Sequence, residues 1–159
     1  MYAVTRLIRF CYGHRLLNYR GKCRHLHGHN GRAEITLSSN ALDARGMVRD
    51  FEEIKQTLQA WIDQTLDHTM LLSKDDPMVE VLRARAERCF VLETNPTAEA
   101  IAKLIFDHAV SCRLPVSTVT LWETDQSFAT YRPAAARTRP RSTRPARRMR
   151  AVRSTSTAA

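Results

Sequence analysis

The sequence predicts an α+β fold, an antiparallel sheet with helices packed on one of its faces. Two strand-like stretches open the chain, helical periodicity occupies the middle, and two more strand-like stretches follow before residue 131. That order, ββααββ, places four antiparallel strands in one sheet and leaves its edges open. Oligomerisation is a common remedy for open edges.

Tyr2 to Phe10 alternates, with Tyr2, Val4, Ile8 and Phe10 on one face and only Arg6 breaking the pattern, and His14 falls just beyond. Arg15 to Lys22, with Asn18 and Gly21, reads as a loop. Arg32 to Ser38 alternates Ala33, Ile35 and Leu37 against Glu34, Thr36 and Ser38, a second strand antiparallel to the first. Ser39 to Gly46 is a turn region. Asp50 with Glu53 three residues later has the form of a capping box. From there Ile54, Leu58, Trp61, Ile62 and Leu66 keep helical spacing over about residues 51–66. A shorter helix is expected from Asp76-Pro77 to about Arg88, and Phe90 to Leu92 is an apolar run of strand type. Asn95-Pro96 reads as a helix start, with Asn as cap and Pro at the first position. Ile101, Leu104, Ile105, His108 and Cys112 mark that helix's apolar side, and Pro115 ends it. Val116 to Glu123 and Phe128 to Tyr131 are the closing strands.

The chain of 159 residues has room for one domain with a proper core. Its formal charge of +9 suggests a nucleic-acid binder until the charge is localised. Residues 1–131 hold 16 Lys and Arg against 16 Asp and Glu, whereas 132–159 hold nine Arg and no acid. The basicity belongs to the tail. Rich in Arg and Pro and without apolar periodicity, that tail is expected to be disordered. It has the charge for non-specific phosphate contact but no aromatic to stack a base, so a solvated extension is the favoured reading. A shifted reading frame after Tyr131 would give the same composition. Cysteines 11, 23, 89 and 112 show no CxxC pairing and read as reduced thiols in a cytoplasmic protein. No apolar run reaches membrane-span length, and the N-terminus lacks a signal-peptide pattern.

The chemistry concentrates in Lys22-Cys23-Arg24-His25-Leu26-His27-Gly28-His29, which holds three of the six histidines. In a strand, His27 and His29 point to one face and form a pair of ligands suited to zinc. Two ligands do not make a site, and His-x-His also occurs on exposed strands without metal. The antiparallel pairing of the first two strands brings His14 back beside the pair, which makes it the candidate third ligand. His25 precedes the strand and is expected to face solvent. Glu123 shares a face with Val119 and Leu121, where a carboxylate is costly without a partner. Its alternative is an exposed edge-strand glutamate.

Six ordered stretches now resemble one family. They are His14 after an aromatic-led strand, Cys23-x-x-x-His27-Gly28-His29, Gly46-Met47-Val48-x-Asp50-Phe51, Leu66-Asp67-His68, Asn95-Pro96-Thr97-Ala98-Glu99 and Trp122-Glu123-Thr124. The resemblance is to the 6-pyruvoyl-tetrahydropterin synthases, whose bacterial branch includes 6-carboxy-tetrahydropterin synthase. It covers about residues 2–131. It implies the tunnelling fold (T-fold), whose small subunits join edge to edge into a barrel, with a hexamer expected. It implies one Zn2+ per chain on His14, His27 and His29.

For Cys23 the resemblance implies a proton-transfer base, while chemistry alone also allows a fourth zinc ligand. It implies that Asp67 and His68 work with the cysteine of a neighbouring subunit, where the alternative is a histidine favourably placed at a helix C-terminus. Glu123 would anchor the pterin, whose adjacent N–H and amino group suit a carboxylate, and Thr97 would help to hold the ring. Glu99 reads as a first-turn helix stabiliser. The expected reaction is a zinc-dependent lyase step on 7,8-dihydroneopterin triphosphate. Its product would be 6-carboxy-5,6,7,8-tetrahydropterin, with acetaldehyde and triphosphate released, on the way to queuosine and other deazapurines. The 6-pyruvoyl product is the alternative within this class. Outside it stands a non-catalytic metal or nucleic-acid binder. The sequence departs from the family pattern at Cys11-Tyr12, where smaller residues are usual, in a long segment about 73–93, and in the tail.

Overall fold

A computed structural model describes residues 1–134. Beyond residue 134 the expected disorder of the tail falls outside the described residues. Strand β1 (Tyr2–His14) is antiparallel to β2 (His27–Ser39) over its whole length, from Tyr2 opposite Ser39 to His14 opposite His27. Both strands run further than alternation suggested. The gain is at the functional end, where His14, His27 and His29 all become strand residues.

After β2 the chain turns at Gly46 (φ +78°) and enters a continuous helical segment. It comprises α1 (Phe51–Ile54), a π-helical stretch (Lys55–Gln59) and α2 (Ala60–Thr65). Asp50 caps it through the amide of Glu52 at 2.9 Å. Glu53 bonds Arg49 at 3.1 Å instead of closing a capping box. Ile54, Leu58, Ile62 and Leu66 are fully buried along this segment.

The sheet itself differs from the expectation. It has six strands, in the order β4-β3-β1-β2-β5-β6, and it is mixed. β3 (Thr69–Ser73) lies parallel to β1, and β4 (Cys89–Leu92) lies parallel to β3, with α3 (Met78–Ala84) between them. The four-stranded antiparallel reading missed β3 for a physical reason. Thr69, Leu71, Leu72 and Ser73 are all buried, so the strand shows a continuous interior run with no polar alternation. The parallel pairing of β3 and β4 follows from the helical crossover that α3 makes between them.

The last helix, α4 (Ala98–Ser111), begins at Thr97, whose hydroxyl accepts from the amide of Ala100 at 3.3 Å. Asn95 is not the cap. Its side-chain amide takes both backbone groups of Leu17, accepting at 2.8 Å and donating at 2.9 Å. β5 (Val116–Thr124) and β6 (Ser127–Tyr131) complete the sheet. Ile8, Phe10, Ala33, Ile35, Leu37, Val119 and Leu121 form the covered face, against Ile54, Leu58, Ile62, Ile101 and Ile105. Each of the large aliphatic side chains contributes roughly 1.5–3 kcal/mol by its burial. The α+β class and the one-sided helical cover are as the sequence predicted.

Candidate active site

Register assembles the site. His14 faces His27 directly, and Tyr12 faces His29, across the open end of the β1–β2 ladder. Side chains of period two then put Tyr12, His14, His27 and His29 on the face that carries the core further along. Gly28 has a specific duty here. A Cβ at this position would stand 2.9 Å from the Tyr12 carbonyl, so a side chain would force the two strands apart.

The three imidazoles converge through their Nε2 atoms. His14 Nε2 lies 3.0 Å from His27 Nε2 and 3.2 Å from His29 Nε2. Tetrahedral bonds of about 2.0–2.1 Å to one metal ion place nitrogens about 3.3 Å apart, close to these separations. The outward nitrogens are fixed as well. Nδ1–H of His14 donates to the carbonyl of Pro96 at 2.7 Å, and Nδ1–H of His27 donates to that of His25 at 2.8 Å. Such bonds set the tautomer that turns the Nε2 lone pair inward, as a ligating histidine requires. Burial pushes the His14 imidazole below its ordinary value, which favours the neutral form a metal needs, although Pro96 and Glu123 oppose the shift. Among the described residues these three histidines are the group whose donor atoms all lie within 4.8 Å. His25 is exposed, as its position before the strand suggested.

Glu123 sits beside them. Its Oε1 is 3.8 Å from His14 Nε2 and accepts from the Tyr12 hydroxyl at 3.0 Å. It is only 22% exposed, so the costlier of its two sequence readings, a carboxylate turned toward the interior, is the one observed.

Asp67 and His68 follow α2 directly. Asp67 Oδ1 accepts from the amide of Cys11 at 2.7 Å, and Oδ2 from His68 Nδ1 at 2.7 Å. The amide of His68 returns to the Cys11 carbonyl at 2.6 Å, and His68 adopts a left-handed φ of +51°. Burial works against ionisation of Asp67, but the Cys11 amide and the His68 ring outweigh it and hold the carboxyl below its usual range. The side chain of His68 is exposed and borders a cavity of about 790 Å³ that also reaches His27, His29, Met70 and Arg88. One chain therefore presents His68 and two of the three clustered histidines to the same space.

Cys23 lies in a 3₁₀ turn, Lys22–Arg24, whose Cys23 carbonyl accepts from Leu16 at 2.9 Å. Its thiol is free and half-buried, and among the described residues no hydrogen bond engages it. Thr97 stands next to Pro96, the residue that holds His14, with its hydroxyl oxygen committed to capping α4. Tyr12 and the Pro96 carbonyl were not identified from sequence. Continuing the alternation of β1 two steps past Phe10 would have found Tyr12.

The chain is similar to known proteins over nearly all of its described residues. The family model described as 6-pyruvoyl tetrahydropterin synthase matches residues 3–134. A protein of Rickettsia conorii named 6-carboxy-5,6,7,8-tetrahydropterin synthase is 35% identical over 135 residues, covering 80% of this chain and 98% of its own. One of the same name from Aquifex aeolicus is 36% identical over 124 residues, covering 70% of this chain and 76% of its own. Among solved structures, the Caenorhabditis elegans 6-pyruvoyl tetrahydropterin synthase superposes with a TM-score of 0.63 at 25% identity, covering 84% of this chain and 96% of that one. A family match over nearly all the described residues, carried by relatives above 30% identity, is decisive: the chain belongs to the 6-pyruvoyl tetrahydropterin synthase family.

Proposed function

We propose that the protein is a zinc-dependent lyase that converts 7,8-dihydroneopterin triphosphate to 6-carboxy-5,6,7,8-tetrahydropterin, releasing acetaldehyde and triphosphate. The observation that carries this reading is the convergence of three imidazole Nε2 atoms with a carboxylate 3.8 Å away. A three-histidine site and a carboxylate on the same face of the sheet suit a ligand that combines a pterin ring with an oxygen-bearing side chain. The names of the Rickettsia and Aquifex relatives favour the 6-carboxy product.

His14, His27 and His29 hold the zinc, one ion per chain. Zinc bound there would supply a Lewis acid toward the substrate's side-chain oxygens. Glu123 accepts the ring N–H and amino group of the pterin, and the Thr97 hydroxyl hydrogen is available to donate to the ring. Cys23 acts as the base that takes a side-chain proton, and Asp67 keeps the His68 imidazole oriented to pass protons on as triphosphate leaves. Among the described residues the outer edges of β4 and β6 are unpaired. Joining them between subunits gives an oligomeric barrel, a hexamer in this reading, in a cytoplasmic setting. In the same reading residues 1–131 are the catalytic domain and 132–159 an appendage without a catalytic part. No helix among the described residues is long and apolar enough to cross a membrane.

The second reading is formation of the 6-pyruvoyl product, favoured by the name of the C. elegans structure. Incubating purified protein with 7,8-dihydroneopterin triphosphate and identifying products by mass separates the two. The 6-carboxy compound with acetaldehyde is expected, and no consumption of substrate sinks both. Removing residues 132–159 is expected to leave turnover unchanged. Loss of all function on that deletion would favour a nucleic-acid or metal binder instead.

A further inference from the structure

Tyr12 occupies the middle of the site, yet the reaction proposed above gives it nothing to do. It is 3% exposed. Its ring stacks on Phe10 with centroids 5.4 Å apart, stands edge-on to His14 at 5.4 Å, and tilts toward His29 at 5.7 Å. Its hydroxyl reaches Glu123 Oε1 at 3.0 Å. A buried tyrosine hydroxyl needs a partner, but any carbonyl would serve that need. Here the partner is the carboxylate that lies 3.8 Å from His14 Nε2.

Room for this ring is built into the neighbouring strand. Gly31 on β2 lies opposite Phe10, and a Cβ there would stand 2.8 Å from Tyr12 Cε1. The position next to the metal histidines is thus shaped around an aromatic ring, and the ring is held on three sides.

The consequence falls on Glu123. Its Oε1 accepts from the Tyr12 hydroxyl at 3.0 Å and lies 3.8 Å from His14 Nε2. Among the described residues no hydrogen bond engages Oε2. A glutamate side chain left to itself rotates about its last torsion with little preference. We propose that Tyr12 is a positioning residue that locks the Glu123 carboxylate, one oxygen toward the metal histidines and the other presented to the ring of the ligand. A ligand with two adjacent donors then meets Oε2 and the remaining lone pair of Oε1 in one orientation relative to the histidines.

This inference rests on the reading of Glu123 as the ring anchor, and the test separates the two. Tyr12→Phe keeps the ring and removes only the hydroxyl. The probe is pterin itself, a bare ring without side chain or phosphate, with binding followed by quenching of its fluorescence. Tyr12→Phe is expected to weaken pterin binding about ten- to hundred-fold, the value of a hydrogen bond to a charged acceptor. The KM for 7,8-dihydroneopterin triphosphate should rise by a similar factor with a smaller change in kcat, and zinc content should stay at the wild-type value. In a Glu123→Gln background, Tyr12→Phe should cost less than three-fold, because the charge it orients is gone. Gly31→Ala, which pushes the ring, should reproduce the loss of pterin affinity. Wild-type pterin binding with an unaltered Tyr12→Phe variant overturns the proposal alone. So does an equal loss in the Glu123→Gln background, which would mark Tyr12 as packing only. A wild-type protein that binds no pterin overturns the reading of Glu123 as well.

Discussion

His14 donates from Nδ1 to the carbonyl of Pro96 at 2.7 Å, joining the end of the first strand to the turn before the last helix. Through this bond the Asn95-Pro96-Thr97 segment does three jobs. Asn95 clamps the loop after His14 through both backbone groups of Leu17, Pro96 turns the imidazole, and Thr97 starts α4. The Pro96 carbonyl is available to His14 because the amide four residues on, that of Ala100, is taken by the Thr97 hydroxyl.

Metal retention should depend on all three histidines equally. His14→Ala, His27→Ala and His29→Ala are each expected to lower bound zinc from about one per chain to less than a tenth, since two imidazoles leave the ion with too few protein ligands. Elemental analysis of the purified variants measures this. Full zinc content in any one of the three would remove that residue from the set.

Cys23→Ala separates a base from a ligand. If the thiol moves a proton, zinc content stays unchanged while kcat falls by about 10²–10⁴, the range typical of a positioned proton-transfer group. Loss of zinc together with activity would make Cys23 a fourth ligand. The free, half-buried thiol is compatible with access by a substrate.

Asp67 holds two partners with two oxygens, and Asp67→Asn distinguishes their roles. Asparagine retains an oxygen for the Cys11 amide, so the junction between α2 and β3 keeps its main tether. It no longer offers a charge to His68 Nδ1. The expected result is a fall in kcat of about ten- to a thousand-fold with a shift in melting temperature of only a few degrees. A large drop in melting temperature with kcat nearly intact would assign Asp67 to structure instead.

The sequence was most readable where one face is buried and the other wet. Val4, Ile8 and Phe10, then Ala33, Ile35 and Leu37, then Val119 and Leu121 alternate because they line a sheet covered on one side, and the antiparallel pairing they imply placed His14 beside His27. β3 was unreadable for the opposite reason, since four of its five side chains are buried and the period vanishes. With it went the parallel pairings and the true strand count. Asn95 misled because a good capping residue was already engaged by Leu17, a contact 78 residues away that no local rule reports. The order of the six motifs made the roles of Cys23 and Asp67 visible through resemblance, whereas spacing and alternation pointed only to the histidines and to an inward-facing Glu123.

The loop that leaves His14 is secured at its first residue. Arg15 donates through Nε to Asp76 Oδ2 at 2.7 Å and through a second nitrogen to Oδ1, while Asp76 also accepts from the amide of Met78 at 2.8 Å. Asp76 is only 3% exposed. The Arg15 guanidinium holds its carboxyl below the ordinary range, against the opposing effect of burial. A carboxyl whose folded value is depressed adds stability above its unfolded value, near 3.9, and loses it as pH falls through the folded one. Arg15 remains charged throughout, so the pH dependence belongs to Asp76. Asp76→Asn is therefore expected to cost about 3 kcal/mol at pH 7, at the low end for a broken buried pair because the Arg15 side chain keeps 21% exposure. The gap between wild type and variant should stay constant from pH 7 to about 5 and close progressively below about 4. Histidine protonation is common to both proteins and cancels in the difference. Urea midpoints of the pair at pH 7, 5, 4 and 3 test this, and a gap that persists unchanged at pH 3 would show that the cost does not come from the charge on Asp76.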